Sequence, residues 1–545
     1  MKRLAKVLPF LVILLVVGVA IAPQKADIYF LIKKNFSIFS KTYENVALEY
    51  VDEVDPEKLM RTGLEAMLET LDPYTVVYDE SQNEQAEILS RGNYAGIGVE
   101  AGYREGKVVI VAPNEDGPAD RKGIRAGDEI IAIDGISTQN LQPDEVQSLT
   151  VGEVGSSVVL TIKRFGVEQD LDFELKRERI EVKNVTYSGY VGGAKDIGFI
   201  RLAQFGDKSA EEVRLALIDL ISNKDINGLV LDLRDNPGGI LQEAVAIIDK
   251  FVEPGLTVVE NRGRITEYNE VFKTREPVMF SKPVVVLMNW GSASASEVVA
   301  GALQDLDRAV ILGERSFGKG LVQIVKPLPY NTSMKITIAR YYIPSGRSIQ
   351  SIDYNHEGRN SGVVKRDSTN RVYKTRNGRK VFDGRGIEPD ISIEEKPLSL
   401  LQVALLQKGM YFDFATQYQA KHPNENMNKM PDGFFSEFSE FLSQKEFDYA
   451  TDGERMLEDL QSELSSISGA SEGIDELQKK VKSHKKELFN SERSMIEESL
   501  FFEILSRYKG QKSRTKAELD RDHQLKAAID LITSPKDVSS LLSGN

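Results

Sequence analysis

The chain contains no cysteine. A disulfide framework, a thiolate zinc site and a cysteine nucleophile are therefore excluded together. Histidine is scarce as well: there are four, His356, His422, His484 and His523, and the last two fall in a charged, helix-prone tail. A multi-histidine metal centre is not expected from such a set. Excess positive charge is also missing. The 69 Lys and Arg are outnumbered by 83 Asp and Glu, a net charge of −14 that lacks the electrostatic footprint of a nucleic-acid binder. What remains is an ordinary globular composition, 41% hydrophobic, in a chain of 545 residues. At roughly 150 residues per domain that length implies several modules rather than one core.

The amino terminus carries Lys2, Arg3 and Lys6 before an uncharged apolar run from Val7 to Ala22, closed by Pro23 and Lys25. Basic residues ahead of an apolar run are the pattern of an exported protein, with everything after residue 26 outside the cytoplasm. Ala20-Ile21-Ala22 offers a cleavage site, but Pro23 directly after it disfavours a peptidase. An uncleaved anchor over residues 1–26 is the expectation, placing the protein in the periplasm and holding it to the inner membrane.

Four further regions follow. Residues 27–88 read as a helical region, with apolar residues mostly at threes and fours up to a break at Asp72-Pro73. Residues 89–178 switch to short β-rich runs (Val108 to Val111, Glu129 to Ile133, Ser157 to Lys163, Asp170 to Leu175) cut by Gly and Pro, a compact β module. Residues 179–395 alternate strands such as Gly228 to Leu233 and Pro283 to Met288 with helices at Ala210 to Asn223, Ile240 to Phe251 and Ser296 to Asp307, which reads as α/β layering. Residues 396–545 are charged and Leu-spaced and read as an appended helical region. The fold class is multidomain α+β.

Two glycine motifs mislead. Gly96-Ile97-Gly98-Val99-Glu100-Ala101 fits a dinucleotide fingerprint, but a polar stretch precedes it and a β-branched run follows. Gly313 to Lys319 matches a P-loop up to its lysine, yet Gly320 stands where a magnesium-binding Ser or Thr is needed, and Leu321 to Pro327 reads as a strand.

With Cys absent, a nucleophile must be a hydroxyl. Gly291-Ser292-Ala293-Ser294-Ala295-Ser296-Glu297 precedes an alanine-rich helix, whose first unpaired N–H groups and positive dipole end suit an oxyanion. Ser294-Ala295-Ser296-Glu297 is equally a capping box, a structural reading of the same residues. A second element, Asp232-Leu233-Arg234-Asp235-Asn236-Pro237-Gly238-Gly239, ends a buried strand where α/β folds bind ligands, although a plain strand-to-helix turn needs the same glycines.

These segments resemble the carboxy-terminal processing (tail-specific) peptidases, S41-type serine peptidases with a Ser-Lys dyad. Gly291 to Glu297 with Ala300 to Asp305 resembles the nucleophile segment, and Ser316 to Gln323 the lysine segment. The resemblance runs from about residue 35 to 395 and implies a ClpP/crotonase-like α/β core. It makes Ser294 the nucleophile, Lys319 the base and Gln323 the group orienting Lys319. It places the oxyanion hole at Gly238 or Gly239 with Ala295, and an assisting acid at Asp305. A lysine can serve as base only if burial lowers its pKa from about 10.4 toward ~7 to 8, at a cost of roughly 3 to 4 kcal/mol. Phe317, Leu321 and Val322 are the local candidates for that apolar packing. No metal or organic cofactor is required.

Gly96-Ile97-Gly98-Val99, with Gly123 to Gly135, resembles a PDZ domain. Such a module would add a substrate tail as a strand beside Ile97 to Val99, hold its carboxylate on N–H groups near Gly96 and Ile97, and prefer an apolar tail, with Pro143 to Leu149 as the facing helix. The implied function is an exported endopeptidase acting on proteins with free apolar C termini, with no nucleic-acid partner. The helices after residue 396 are candidates for homo-oligomer contacts. The competing readings are an inert PDZ scaffold, an acyltransferase relative using the same glycine turn on thioesters, and a Ser294-His356 pairing.

Overall fold

The computed structural model describes residues 23–80, 82–83, 93–194, 196–352, 354, 371–431, 433–463 and 470–544. The apolar run before Pro23 and the alternative base His356 lie outside the described residues. Among the described residues, no helix is long and apolar enough to cross a membrane.

The chain forms two compact units. Of the described residues, the first comprises 23–79, 323–337 and 354. Its helices span Pro23–Glu49 and Pro56–Glu69, the second capped by Asp55, which accepts the N–H groups of Glu57 and Lys58. The helical expectation fails beyond this point: Val76–Tyr78 is a strand, antiparallel to Ser333 to Lys335. Asp72 explains the switch. Its carboxylate accepts the N–H groups of Tyr74 and Thr75 in a tight turn, and the β-branched Thr75-Val76-Val77 run follows.

The second unit holds the β module, the α/β layers and the C-terminal helices. The module is an antiparallel sheet of β1 (Val99–Arg104), β2 (Lys107–Pro113), β3 (Glu129–Ile133), β4 (Ser157–Lys163) and β5 (Leu171–Lys176) in that order, with helix α1 (Pro143–Thr150). Its core is a β-branched cluster including Ile97, Val108, Ile110, Ile130 and Ile162. Asn93–Gly96, which enters the module, pairs with Glu178–Glu181, which leaves it.

The α/β layers follow. A six-stranded sheet runs β6 (Val185–Val191), β7 (Ile197–Leu202), β8 (Gly228–Asp232), β9 (Val284–Met288), β10 (Val310–Gly313) and β11 (Ile391–Ser392), parallel after the first pair. Every residue of β8 and β9 is buried, as expected of parallel strands covered on both faces. One face packs on α2 (Ser209–Asn223), α3 (Leu241–Ile248) and α4 (Ala295–Asp305). The other face, with Phe199, Val230, Val285 and Leu287, is covered by Leu525, Ala528 and Ile532 of α5 (His523–Thr533). The last helices are therefore a layer of the core, which corrects their reading as an appendage. The helices between Leu400 and Lys509 build their own aromatic-rich cluster. Arg104 of β1 joins the β module to it through a 2.7 Å ion pair with Asp413.

Candidate active site

The site forms where β8 and β9 end and α4 begins. Of the three serines there, two are structural. Ser292 donates its hydroxyl to Leu233 O at 2.8 Å, and Ser296 donates to Asn236 O at 2.8 Å; both are fully buried. Ser294 is 7% exposed, and its hydroxyl meets the phenol of Tyr341. Its backbone has φ +56° and ψ −114°, a conformation costing an L-residue about 1–3 kcal/mol, which presents the hydroxyl at the mouth of α4.

The glycine turn is pressed against this serine. A Cβ at Gly238 would lie 2.8 Å from Ser294 Cβ and 2.7 Å from Ala293 O, and φ there is +99°. Only glycine fits. The clamp is Asn236, fully buried: its side chain donates to Leu202 O at 2.7 Å and its carbonyl accepts the Ala293 N–H at 3.0 Å. The Asn236 side-chain oxygen also takes the Gly238 N–H at 2.9 Å. Of the three groups expected in the oxyanion hole, Gly238 thus has its N–H engaged in the turn, Ala295 N lies 2.8 Å from where a Gly238 Cβ would stand, and Gly239 is packed against Phe205.

Glu297 is the hub that sequence reasoning saw only as half of a capping box. One carboxylate oxygen accepts the N–H groups of Ser294 and Lys319, each at 2.8 Å. The other accepts the Gly318 N–H at 2.7 Å and the Ser316 hydroxyl at 2.5 Å. Burial raises its pKa to about 7, against the opposing pull of these donors. The serine and lysine segments, 25 residues apart, are thus tied through one carboxylate. Leu321 and Val322 beyond Lys319 are buried, whereas Phe317 is half-buried and turned to Trp290.

Below the glycine turn, Asp232 is fully buried between Arg234, at 2.8 Å, and Arg201, at 3.0 Å. Burial works against its charge, but the hydrogen bonds and charge of Arg234, with Arg201, hold its carboxyl below the usual range. Arg234 reaches on to Asp522 at 2.6 Å and Gln524 at 3.1 Å, at the start of α5.

Asp305 stands at the opposite end of α4 from Ser294. Asp305 ends α4, about 16 Å along the axis from its start, in a buried ion pair with Arg347 at 2.9 Å, and accepts the Ser345 N–H. Those partners give it a structural role at the far end of the helix. Gln323 belongs to the first unit, where it donates to Thr337. In the β module, β1 is an edge strand, as strand addition by a peptide requires. Ile97, at 2% exposure, is sealed in the module's core, so of the two expected groove side chains only Val99 is half-exposed; Gly96 and Gly98 are buried beside them. Among the described residues no cluster of acidic or histidine side chains could hold a metal.

Three family models match: Peptidase family S41 over residues 196–357, a PDZ domain over 109–164, and the "Probable PDZ-protease, C-terminal helical domain" over 401–532. The chain is 39% identical to the carboxy-terminal-processing protease of Bartonella bacilliformis over 325 residues, 58% of this chain and 73% of that one. It is 36% identical to the carboxy-terminal processing protease CtpB of Bacillus subtilis over 313 residues, 57% of this chain and 64% of that one. Among solved structures, the photosystem II D1 C-terminal processing protease aligns with 66% of this chain and 89% of its own, at 28% identity and a TM-score of 0.35.

Proposed function

Since the chain belongs to the carboxy-terminal processing proteases of peptidase family S41 and is a serine-type peptidase, we propose that it is an exported endopeptidase that captures free C-terminal tails on its PDZ module and cuts with Ser294 and Lys319. Lys319, unprotonated, takes the Ser294 proton; the alkoxide attacks a peptide carbonyl; the amine returns the proton to the leaving nitrogen; water then releases the acyl-enzyme. An orienting role for Gln323 rests on the family resemblance alone. The oxyanion is met by the Ala295 N–H at the start of α4 and by the glycine turn at Gly239.

The observation that carries this reading is the shared Glu297 oxygen, which binds the backbones of Ser294 and Lys319 together. The PDZ part rests on the free edge of β1, with an apolar tail favoured because Val99 brings no charge. Export and anchoring rest on the basic residues and the Val7 to Ala22 run.

The test compares wild type, Ser294→Ala and Lys319→Ala on an unfolded reporter with an apolar tail, its C terminus free or amidated. Both variants should lose cleavage and amidation should slow wild type. Cleavage surviving Ser294→Ala would overturn the assignment, and indifference to amidation would remove the carboxylate-reading role. A thioester-turnover assay run beside it addresses the acyltransferase reading.

A further inference from the structure

Trp290 is the chain's only tryptophan, and it is 65% exposed, four residues before Ser294. A ring of that size gains most from burial, so a rigidly held exposed one implies a surface meant for contact. Its turn is pinned on both sides. Asn289 exchanges hydrogen bonds with Asp235, accepting its N–H and donating to its carboxylate, each at 2.9 Å. Gly291 sits so tightly on Asp235 that a Cβ there would come within 2.8 Å of its Cα.

The ring packs on Phe317, with centroids 5.3 Å apart and planes inclined at 56°. Phe317 lies two residues before Lys319, and its N–H donates to Ser292 O at 3.0 Å, beside the nucleophile. Each of the two segments that supply the reacting groups therefore contributes one ring to a shared apolar wall.

We propose that Trp290 and Phe317 form a specificity subsite that receives an apolar side chain of the bound polypeptide, within two residues of the bond cut. This rests on the reading of Ser294 and Lys319 given above. A chain laid across the start of α4 to bring a carbonyl to Ser294 passes this wall, and an apolar side chain there removes both rings from water. The subsite selects where an extended segment is cut, separately from the PDZ module's choice of tail.

The test first maps the cleaved bond in the reporter, then compares peptides carrying Leu or Ser at each of the two positions on either side of it. In wild type, Leu-to-Ser at one of these positions should lower kcat/KM about tenfold, mostly through KM. In Trp290→Ala that penalty should vanish, and in Trp290→Phe it should largely remain. A penalty undiminished in Trp290→Ala overturns the subsite. Binding supplies a second readout on the full chain bearing Ser294→Ala, where all tryptophan emission comes from Trp290. The Leu peptide should shift it to the blue and the Ser peptide should not; equal responses would again refute the proposal. Loss of cleavage in Ser294→Ala with an unchanged Leu preference in Trp290→Ala would sink the subsite alone, whereas cleavage persisting in Ser294→Ala would sink the underlying reading.

Discussion

Lys319 donates its backbone N–H to the Glu297 carboxylate at 2.8 Å, on the same oxygen that holds the Ser294 N–H. The carboxylate thereby sets the spacing of two chain segments. Glu297→Ala leaves three backbone N–H groups and the Ser316 hydroxyl without their acceptor. Displacing a reacting group by about 1 Å costs on the order of a hundredfold, so kcat should fall at least that far while KM changes little. Steady-state kinetics on a short peptide measures both.

Burial raises the Glu297 pKa from 4.5 to about 7, so the folded protein keeps this proton over a range where the unfolded chain has released it. The associated stability is full below pH 4.5 and is lost as pH rises through 7, in total about 3 kcal/mol at 1.36 kcal/mol per unit. Glu297→Gln cannot titrate. Urea unfolding of both proteins at either end of this window should show the variant gaining on wild type toward high pH by about that amount. A difference independent of pH would mean that Glu297 does not titrate in this range.

Gly238→Ala tests the contact between the glycine turn and the nucleophile. The added methyl meets Ser294 Cβ and Ala293 O at under 3 Å in a backbone region disfavoured for alanine. Movement of the turn should lower kcat about a hundredfold, the scale of losing one oxyanion donor. Gly255→Ala is the control. Its φ of +90° carries a similar backbone penalty, but no atom lies within 4 Å of the new methyl, so activity should survive.

The legibility of these parts in the sequence follows from their chemistry. Gly228 to Asp232 reads as a strand because burial on both faces demands an unbroken apolar run. Ser333–Tyr342 does not, because Lys335, Thr337 and Arg340 interrupt its apolar residues. Ser294 and Lys319 stand out through local motifs. Asn236 and Tyr341 do not, because their importance lies in contacts with Ala293 and Ser294, more than 45 residues away in each case. Helix α5 is concealed differently: Leu525, Ala528 and Ile532 form a narrow apolar stripe within a charged region, easily taken for a solvated surface.

Tyr341 reaches Ser294 with its phenol, and burial pushes the phenol pKa up to about 12, partly offset by that hydrogen bond. The group stays neutral throughout the working range and positions the serine without titrating. Tyr341→Phe should lower kcat about tenfold, as expected for losing one buried hydrogen bond of about 1 kcal/mol or a little more. The pH profile should keep its shape. A new alkaline limb in the variant would contradict a purely positioning role.

The C-terminal helix α5 should be required for both stability and catalysis, by separable routes. Ile532 is 1% exposed, and its methyl groups fill the space that Gly228 leaves on the sheet: a Cβ at Gly228 would lie 2.5 Å from its Cγ2. Ile532→Ala therefore opens a cavity under the central strands and should cost about 2–5 kcal/mol in urea unfolding, with kcat unchanged under conditions where the variant stays folded. Asp522 acts at the other end of the helix. It accepts from Arg234 at 2.6 Å and also caps α5 by accepting the Leu525 N–H at 2.9 Å. Asp522→Asn keeps a capping oxygen but removes the charge facing Arg234, which is left with Asp232 as its close carboxylate partner. If Arg234 positions the turn that follows it, this variant should lower kcat several-fold with little change in KM and a small loss of stability. If stability falls and kcat per folded molecule does not, α5 is only a structural layer of the core.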